Sequence, residues 1–319
     1  MENLMYSLES VVPLFALMLV GYLLRRCHII NDNFISVGTK IGFQVALPVL
    51  LFQQISAADL NAVFNPSLIL FALAAIAVTI TLLCLLIPRF IKDNATRGAM
   101  IQGIYRGNFA ILGVPLAINM FGEVGAAPTS LLLPFTIPIY NALAVIILTV
   151  CDPRNAGKGR TAFPIKAILQ GIVTNPLIIG IVLALPFSLL HVTFPAVIDK
   201  SLDQIASLTT PLALICLGGQ FTFKAAKEKL PLSLTATFIK QIVIPVIVLT
   251  AAILFGFRGG ELGAVFILFM APSAVSGYIM AKNMHSDDEL AAQILIMTTL
   301  FSSLTLFFGI FLLRSLGLL

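Results

Sequence analysis

The second half of this chain repeats the first about 164 residues later, and that duplication constrains the fold more than any other feature. Shifting by 164 superposes Gly113 on Gly277, Asn119 on Asn283 and Met120 on Met284. Prolines recur in step: Pro13 with Pro176 and Pro48 with Pro211 at an offset of 163, Pro66 with Pro231 at 165. Paired halves whose apolar segments are broken by Gly and Pro at corresponding positions point to a secondary transporter, with its binding site at the breaks.

Composition places those halves in a membrane. Hydrophobic residues make up 59% of the 319 and charged residues 10%, where a soluble domain carries about a quarter charged. Apolar stretches long enough to span a bilayer recur from end to end, without the alternation of a transmembrane barrel. No basic stretch precedes the first apolar run near Met5, so no cleavable signal is expected. The surplus of Lys and Arg reads as topology, not as nucleic-acid binding. Cys27, Cys84, Cys151 and Cys216 form no CxxC pair and read as small core residues. His28, His191 and His285 are too scattered to ligate a metal, so no metal site or cofactor is expected.

Ten spans fit the apolar runs: 6–24, 35–56, 66–88, 96–121, 127–151, 163–188, 204–222, 231–256, 260–283 and 288–313. The organisation is then a five-helix repeat over 1–151, a connector at 152–162, and a second repeat over 163–319. Ser286-Asp287-Asp288-Glu289 reads as a capping box opening the tenth span, in preference to a metal site. Pro66 and Pro231 fall in first turns, where proline removes no hydrogen bond. Loops after odd-numbered spans hold thirteen Lys and Arg against three on the other side. That bias places the odd-span loops in the cytoplasm and both termini outside. With five spans each, the halves insert upside down relative to one another, the architecture of alternating-access carriers.

Spans four and nine hold the polar and helix-breaking residues. Gly107, Gly113 and Pro115 bracket Asn108 in the first, and Pro272, Ser273, Ser276 and Gly277 cluster in the second. Freed backbone groups at membrane depth are tolerated only when buried in protein or lining a cavity, so crossed, discontinuous helices are expected. Their half-helix N-termini suit an anion. Arg106 adds to that sign, since it lies about ten residues, roughly 15 Å, into span four, near mid-bilayer. Two readings stand for it: substrate recognition, or bracing of the opened backbone. Lys240, equally deep in span eight, is a possible supporting charge. No span carries Asp or Glu at its middle, which disfavours a side-chain proton relay, although backbone carbonyls alone can hold sodium. An intramembrane enzyme would need paired aspartates or a zinc motif that is absent here, so the chain does not read as an enzyme. A pure channel would lack saturable flux.

At these residues the chain resembles the auxin efflux carrier family, which includes the plant PIN-FORMED carriers and bacterial malonate and other organic-acid carriers. The resemblance rests on the order of Ala46-Leu47-Pro48-Val49-Leu50-Leu51-Phe52, Gly107-Asn108 through Gly113-Val114-Pro115-Leu116, Thr174-Asn175-Pro176, Pro211-Leu212-Ala213 through Leu217-Gly218, and Ala271-Pro272-Ser273-Ala274. It implies an all-α integral membrane fold of ten helices in two inverted repeats, with helices four and nine crossed. Sodium/proton exchangers and bile-acid transporters share that architecture. It also implies a homodimer in the bacterial cytoplasmic membrane. The function implied is transport of small mono- or dicarboxylates by elevator-like movement against a scaffold of helices one, two, six and seven. Asn108 then falls where the family places an asparagine near the substrate carboxylate. A sodium- or proton-coupled symporter of organic acids is the alternative within this fold.

Two departures bear on the substrate. The long cytoplasmic loop of the plant members is replaced by a short basic turn at 152–162, so regulation through that loop is not expected. Where the plant pattern has proline before the asparagine, this chain has Gly107 preceded by Arg106, and it has no tryptophan. Both fit a polar acid, such as a dicarboxylate, better than an indole.

Overall fold

A computed structural model describes residues 2–57, 65–153, 174, 176–190, 192, 194–219 and 229–319. The connector from 154 onward, the first part of span six and the end of span seven lie outside the described residues. Every regular element among the described residues is a helix. Seven helices or helix pairs are long and apolar enough to cross a membrane: Glu2–Arg26, Asp32–Gln53, Pro66–Phe90, Ala127–Val150, Ala196–Gly219, Leu230–Leu254 and Asp288–Ser315. Spans four and nine fall short of that length because each is cut in two, and span six is described only from Pro176.

In chain order the helices are α1 (Glu2–Arg26), α2 (Asp32–Ile41), α3 (Leu47–Ala57), α4 (Pro66–Phe90), α5 (Asn94–Tyr105), α6 (Val114–Gly125), α7 (Ala127–Val150) and α8 (Pro176–Leu189). The series continues with α9 (Ala196–Ser207), α10 (Thr209–Gly219), α11 (Leu230–Phe238), α12 (Ile244–Leu254), α13 (Gly259–Met270), α14 (Val275–Asn283) and α15 (Asp288–Ser315).

Proline explains where spans two, four and eight widen. Three π-helical turns, Gly42–Ala46, Phe109–Gly113 and Ile239–Val243, precede Pro48, Pro115 and Pro245, each by one intervening residue. A proline ring presses on the carbonyl four residues back, here that of Gln44, Ile111 or Gln241, which lies inside the π turn in each case. The wider turn gives that carbonyl room without ending the helix. Pro211 obtains the same relief differently, because α9 ends at Ser207 and α10 restarts at Thr209. Pro13, Pro134 and Pro138 are carried inside α1 and α7 with no such turn, and the structure offers no reason for the difference.

Helix ends are held as side-chain chemistry dictates, with one correction. Asn65 accepts from the Ser67 and Leu68 amides ahead of Pro66. Asp93 accepts from both the amide and the hydroxyl of Thr96 at 2.8 and 2.7 Å, and those bonds hold its carboxyl below the usual range. The tenth span, however, is capped by Asp287, not by a box beginning at Ser286. Asp287 accepts from Leu290 N at 3.0 Å, while the Ser286 hydroxyl donates to Ala95 O at 2.7 Å. Ser286 is drawn across to the neighbouring helix and so is not free to cap its own. Asp287 also pairs with Lys229 at 2.6 Å, which leaves the acidic cluster explained without a metal. Of the cysteines, only Cys216 is buried; Cys27 and Cys84 are exposed and Cys151 is partly so, which limits the core reading to Cys216.

The closest helix packing lies between spans one and seven and between spans two and six. A Cβ on Gly218 would stand 1.8 Å from Met18 O, one on Gly21 would stand 2.0 Å from Ile215 O, and one on Gly180 would stand 2.6 Å from Pro48 O. Small residues at helix crossings let backbones meet where lipid gives no hydrophobic drive to association. Here α1 is locked to α10, and α3 to α8.

Candidate functional site at two paired helix breaks

Span four stops being helical after Tyr105 and resumes at Phe109; span nine stops after Met270 and resumes at Val275. The two gaps lie against each other. Asn108 N donates to Pro272 O at 2.7 Å and Ala274 N donates to Arg106 O at 3.1 Å, with Gly107 and Ser273 forming an antiparallel bridge between them. Each break therefore supplies hydrogen-bond partners to the other, which answers the requirement that buried backbone be satisfied in a membrane. Gly107 is needed for the approach: a Cβ there would lie 3.1 Å from Leu268 O.

The C-terminal end of α5 is capped by three separate groups. Arg106 N donates to Gln102 O at 3.1 Å, the Ser273 hydroxyl to Gly103 O at 2.5 Å, and Lys240 Nζ to Ile104 O at 3.0 Å. Lys240 is 2% exposed, carried to this carbonyl by the π turn of span eight. A cation at a helix C-terminus opposes the negative end of its dipole. Lys240 thus braces the break from behind, and the structure assigns it no place in a cavity. Ser273 is held further by its amide, which donates to Thr298 Oγ1 at 3.0 Å.

Arg106 is 6% exposed. Its Nη2 donates to Asn141 Oδ1 at 2.5 Å and its Nη1 lies 2.9 Å from Met280 Sδ. No Asp or Glu pairs with it among the described residues. With five donors on a guanidinium, it retains capacity after those contacts. A narrow cleft beside the breaks is lined by Ala99, Gln102, Gly103, Arg106, Ser273, Ala274, Gly277, Tyr278 and Ala291. Asn108 is 4% exposed and its Nδ2 has no hydrogen-bond partner among the described residues. A second, apolar cavity is lined by Thr39, Phe43, Leu47 and Thr209 together with Ile111 and Val275.

The sequence-derived site residues therefore divide. Arg106, Gly107, Asn108, Pro272, Ser273 and Gly277 converge on the paired breaks or the cleft. Gly113 is a packing contact, since a Cβ there would meet Ile267 Cγ2 at 2.9 Å. Pro115 is buried behind the π turn that it causes, and Ser276 is exposed in the first turn of α14 and lines neither cavity. Three participants escape the sequence reading: Gln102, Asn141 and Thr298. Gln102 lies one helical turn before Arg106 and so shares its face, a signal that was present in the spacing. Asn141 and Thr298 come from other spans, and nothing local marks them.

Comparison with known proteins gives the family. The family described as "Membrane transport protein" matches residues 6–310. The chain belongs to it. This is the auxin efflux carrier family of the sequence resemblance, and membership makes the chain a multi-pass protein of a membrane transporter family. An uncharacterized transporter of Methanocaldococcus jannaschii is 26% identical over 312 residues, covering 95% of this chain and 97% of that protein. A Rhizobium meliloti protein named "Putative malonate transporter" is 24% identical over 315 residues, covering 96% and 95%. The uncharacterized transporter YfdV of Escherichia coli is 22% identical over 287 residues, covering 88% of each. These relatives are transporters by name, in keeping with a chain that is not an enzyme.

Proposed function

We propose that this family member is a secondary transporter of a small organic anion, a mono- or dicarboxylate, whose site is the paired breaks of spans four and nine. The observation that carries the reading is a buried guanidinium, Arg106, with no acidic partner among the described residues, near the buried Asn108 Nδ2, which has no hydrogen-bond partner among them either. A fixed cation and amide donors at interrupted helices suit a carboxylate. The relative named for malonate is in keeping with that class.

The reading extends to ten spans in two inverted repeats, working by an elevator-type movement in a homodimer in the cytoplasmic membrane. Its support is the exchange of partners between halves: span one packs on seven and two on six, four on ten and nine on five. Glycine-mediated backbone contacts join span one to seven and span two to six, and the apolar cavity lies where spans two and seven meet the resumed halves of spans four and nine. A sliding boundary would run through that cavity.

Two measurements test this. Asn108→Ala should weaken carboxylate-dependent thermal stabilisation by about one to two decades in affinity, the effect of a lost buried hydrogen bond on the order of 1–3 kcal/mol. The protein's own folding and oligomer size should not change. Unaltered affinity moves the site away from span four. For topology, in a background without native cysteines, cysteine at exposed His28 should be labelled only from the cytoplasm, and at exposed Lys200 only from outside. Labelling of both from one side removes the inverted arrangement. The positions Asn155 and Asn61, equally diagnostic by sequence, lie outside the described residues.

A further inference from the structure

The cleft beside the breaks holds an amide that simple carboxylate binding leaves unused. Gln102 is 2% exposed, and neither its Oε1 nor its Nε2 has a hydrogen-bond partner among the described residues. It lines the cleft with Arg106, Ser273 and Gly277, and a Cβ on Gly277 would stand 3.4 Å from its Nε2. An amide with both ends unpaired inside a membrane protein is costly, and a ligand that completes both ends removes that cost.

The chemistry of the pair restricts the ligand. Arg106 offers donors only, and an ionised carboxylate offers acceptors only. A plain carboxylate on Arg106 could also accept from Gln102 Nε2, but Oε1 would still lack a donor. Ser273 cannot supply it, because its hydroxyl hydrogen goes to Gly103 O. A ligand that brings its own donor beside the carboxylate would complete the amide. We propose that Gln102 and Arg106 together recognise a small carboxylate that carries an O–H group close to the carboxylate. The guanidinium takes the carboxylate, Gln102 Oε1 accepts from the O–H, and Nε2 donates to a ligand oxygen. That O–H belongs either to a hydroxyl or to a second, protonated carboxyl. The inference rests on the carboxylate reading above and makes Gln102 its specificity-determining residue.

The test compares propanoate, 2-hydroxypropanoate and malonate as ligands of the purified full chain, by thermal stabilisation and calorimetry. The wild type should bind 2-hydroxypropanoate at least about tenfold tighter than propanoate, since a site built to bond a hydroxyl rejects the analogue without it. Malonate should gain affinity as pH falls if a protonated carboxyl is the donor. The hydroxy acid should not. Gln102→Met keeps the side-chain length and removes both hydrogen-bonding atoms. In it the hydroxyl preference should collapse to within about threefold while propanoate binding persists. A wild type with neither a hydroxyl preference nor a gain for malonate on acidification overturns the inference, whether or not Gln102→Met folds. So does a preference that survives Gln102→Met, because ordered water would then be completing the amide. The two readings fail differently. If no carboxylate stabilises the wild type, both are lost. If Asn108→Ala weakens carboxylate binding as expected and the hydroxyl makes no difference to the wild type, only this one is.

Discussion

Arg106→Gln should lower affinity for a dicarboxylate by roughly one to two orders of magnitude, as expected when a charge-assisted contact of about 1.5–3 kcal/mol is lost. Arg106→Lys keeps the charge but loses the planar fork, so it should fall between the wild type and Arg106→Gln. A monocarboxylate held by Asn108 and the half-helix ends should lose less than a dicarboxylate, whereas a hydroxy monocarboxylate whose carboxylate lies on Arg106 should lose as much. The competing role is structural. Arg106 also binds Asn141 Oδ1 and approaches Met280 Sδ, so some loss of stability without ligand accompanies either substitution. Affinity ratios separate the roles. Measuring mono- and dicarboxylate binding together with the ligand-free melting temperature in both variants decides the matter. Lower stability with an unchanged ratio between ligands would leave Arg106 as a brace of the break.

The second large effect lies away from the site. Gly218→Ala would place a methyl group 1.8 Å from Met18 O, and the contact is backbone, which cannot rotate away. Spans one and seven would have to separate. Overpacking of this kind costs about 1–3 kcal/mol or more, so the melting temperature of the solubilised protein should fall by roughly 5 °C or more. Gly21→Ala, 2.0 Å from Ile215 O on the same interface, should do the same. Gly42→Ala is the control: nothing stands within 4 Å of its Cβ, and stability should hold or rise slightly. A Gly218→Ala protein that melts with the wild type would mean that α1 and α10 are not packed at that distance in the membrane.

Much of the fold could be read in the chain because lipid narrows the alternatives. Long continuous apolar stretches without a barrel's alternation cross a bilayer as helices, so composition and pattern together give the class. The spans two, three, five, eight and ten expected from the apolar runs coincide with helices to within a few residues. Span seven begins earlier, at Ala196, because an amphipathic turn carrying Asp199, Lys200 and Asp203 extends it. Gln53 donates to that Asp203 across from span two, at 2.6 Å. Hydropathy could not include a polar turn that a neighbouring helix holds in place.

The breaks in spans four and nine were equally legible, since glycine and proline mark where a helix can open. What fills the openings was not. By itself the sequence determined that the chain is helical, where it is interrupted, and that Arg106 and Asn108 flank the first interruption, because propensity, proline geometry and hydropathy act through near neighbours. Only the tertiary structure decided that Lys240 caps Ile104 from another span, that Ser273 closes Gly103, and that Gln102 is left without a partner. The bonds from Lys240 and Ser273 join segments more than a hundred residues apart, and no local pattern records which donor reaches which carbonyl.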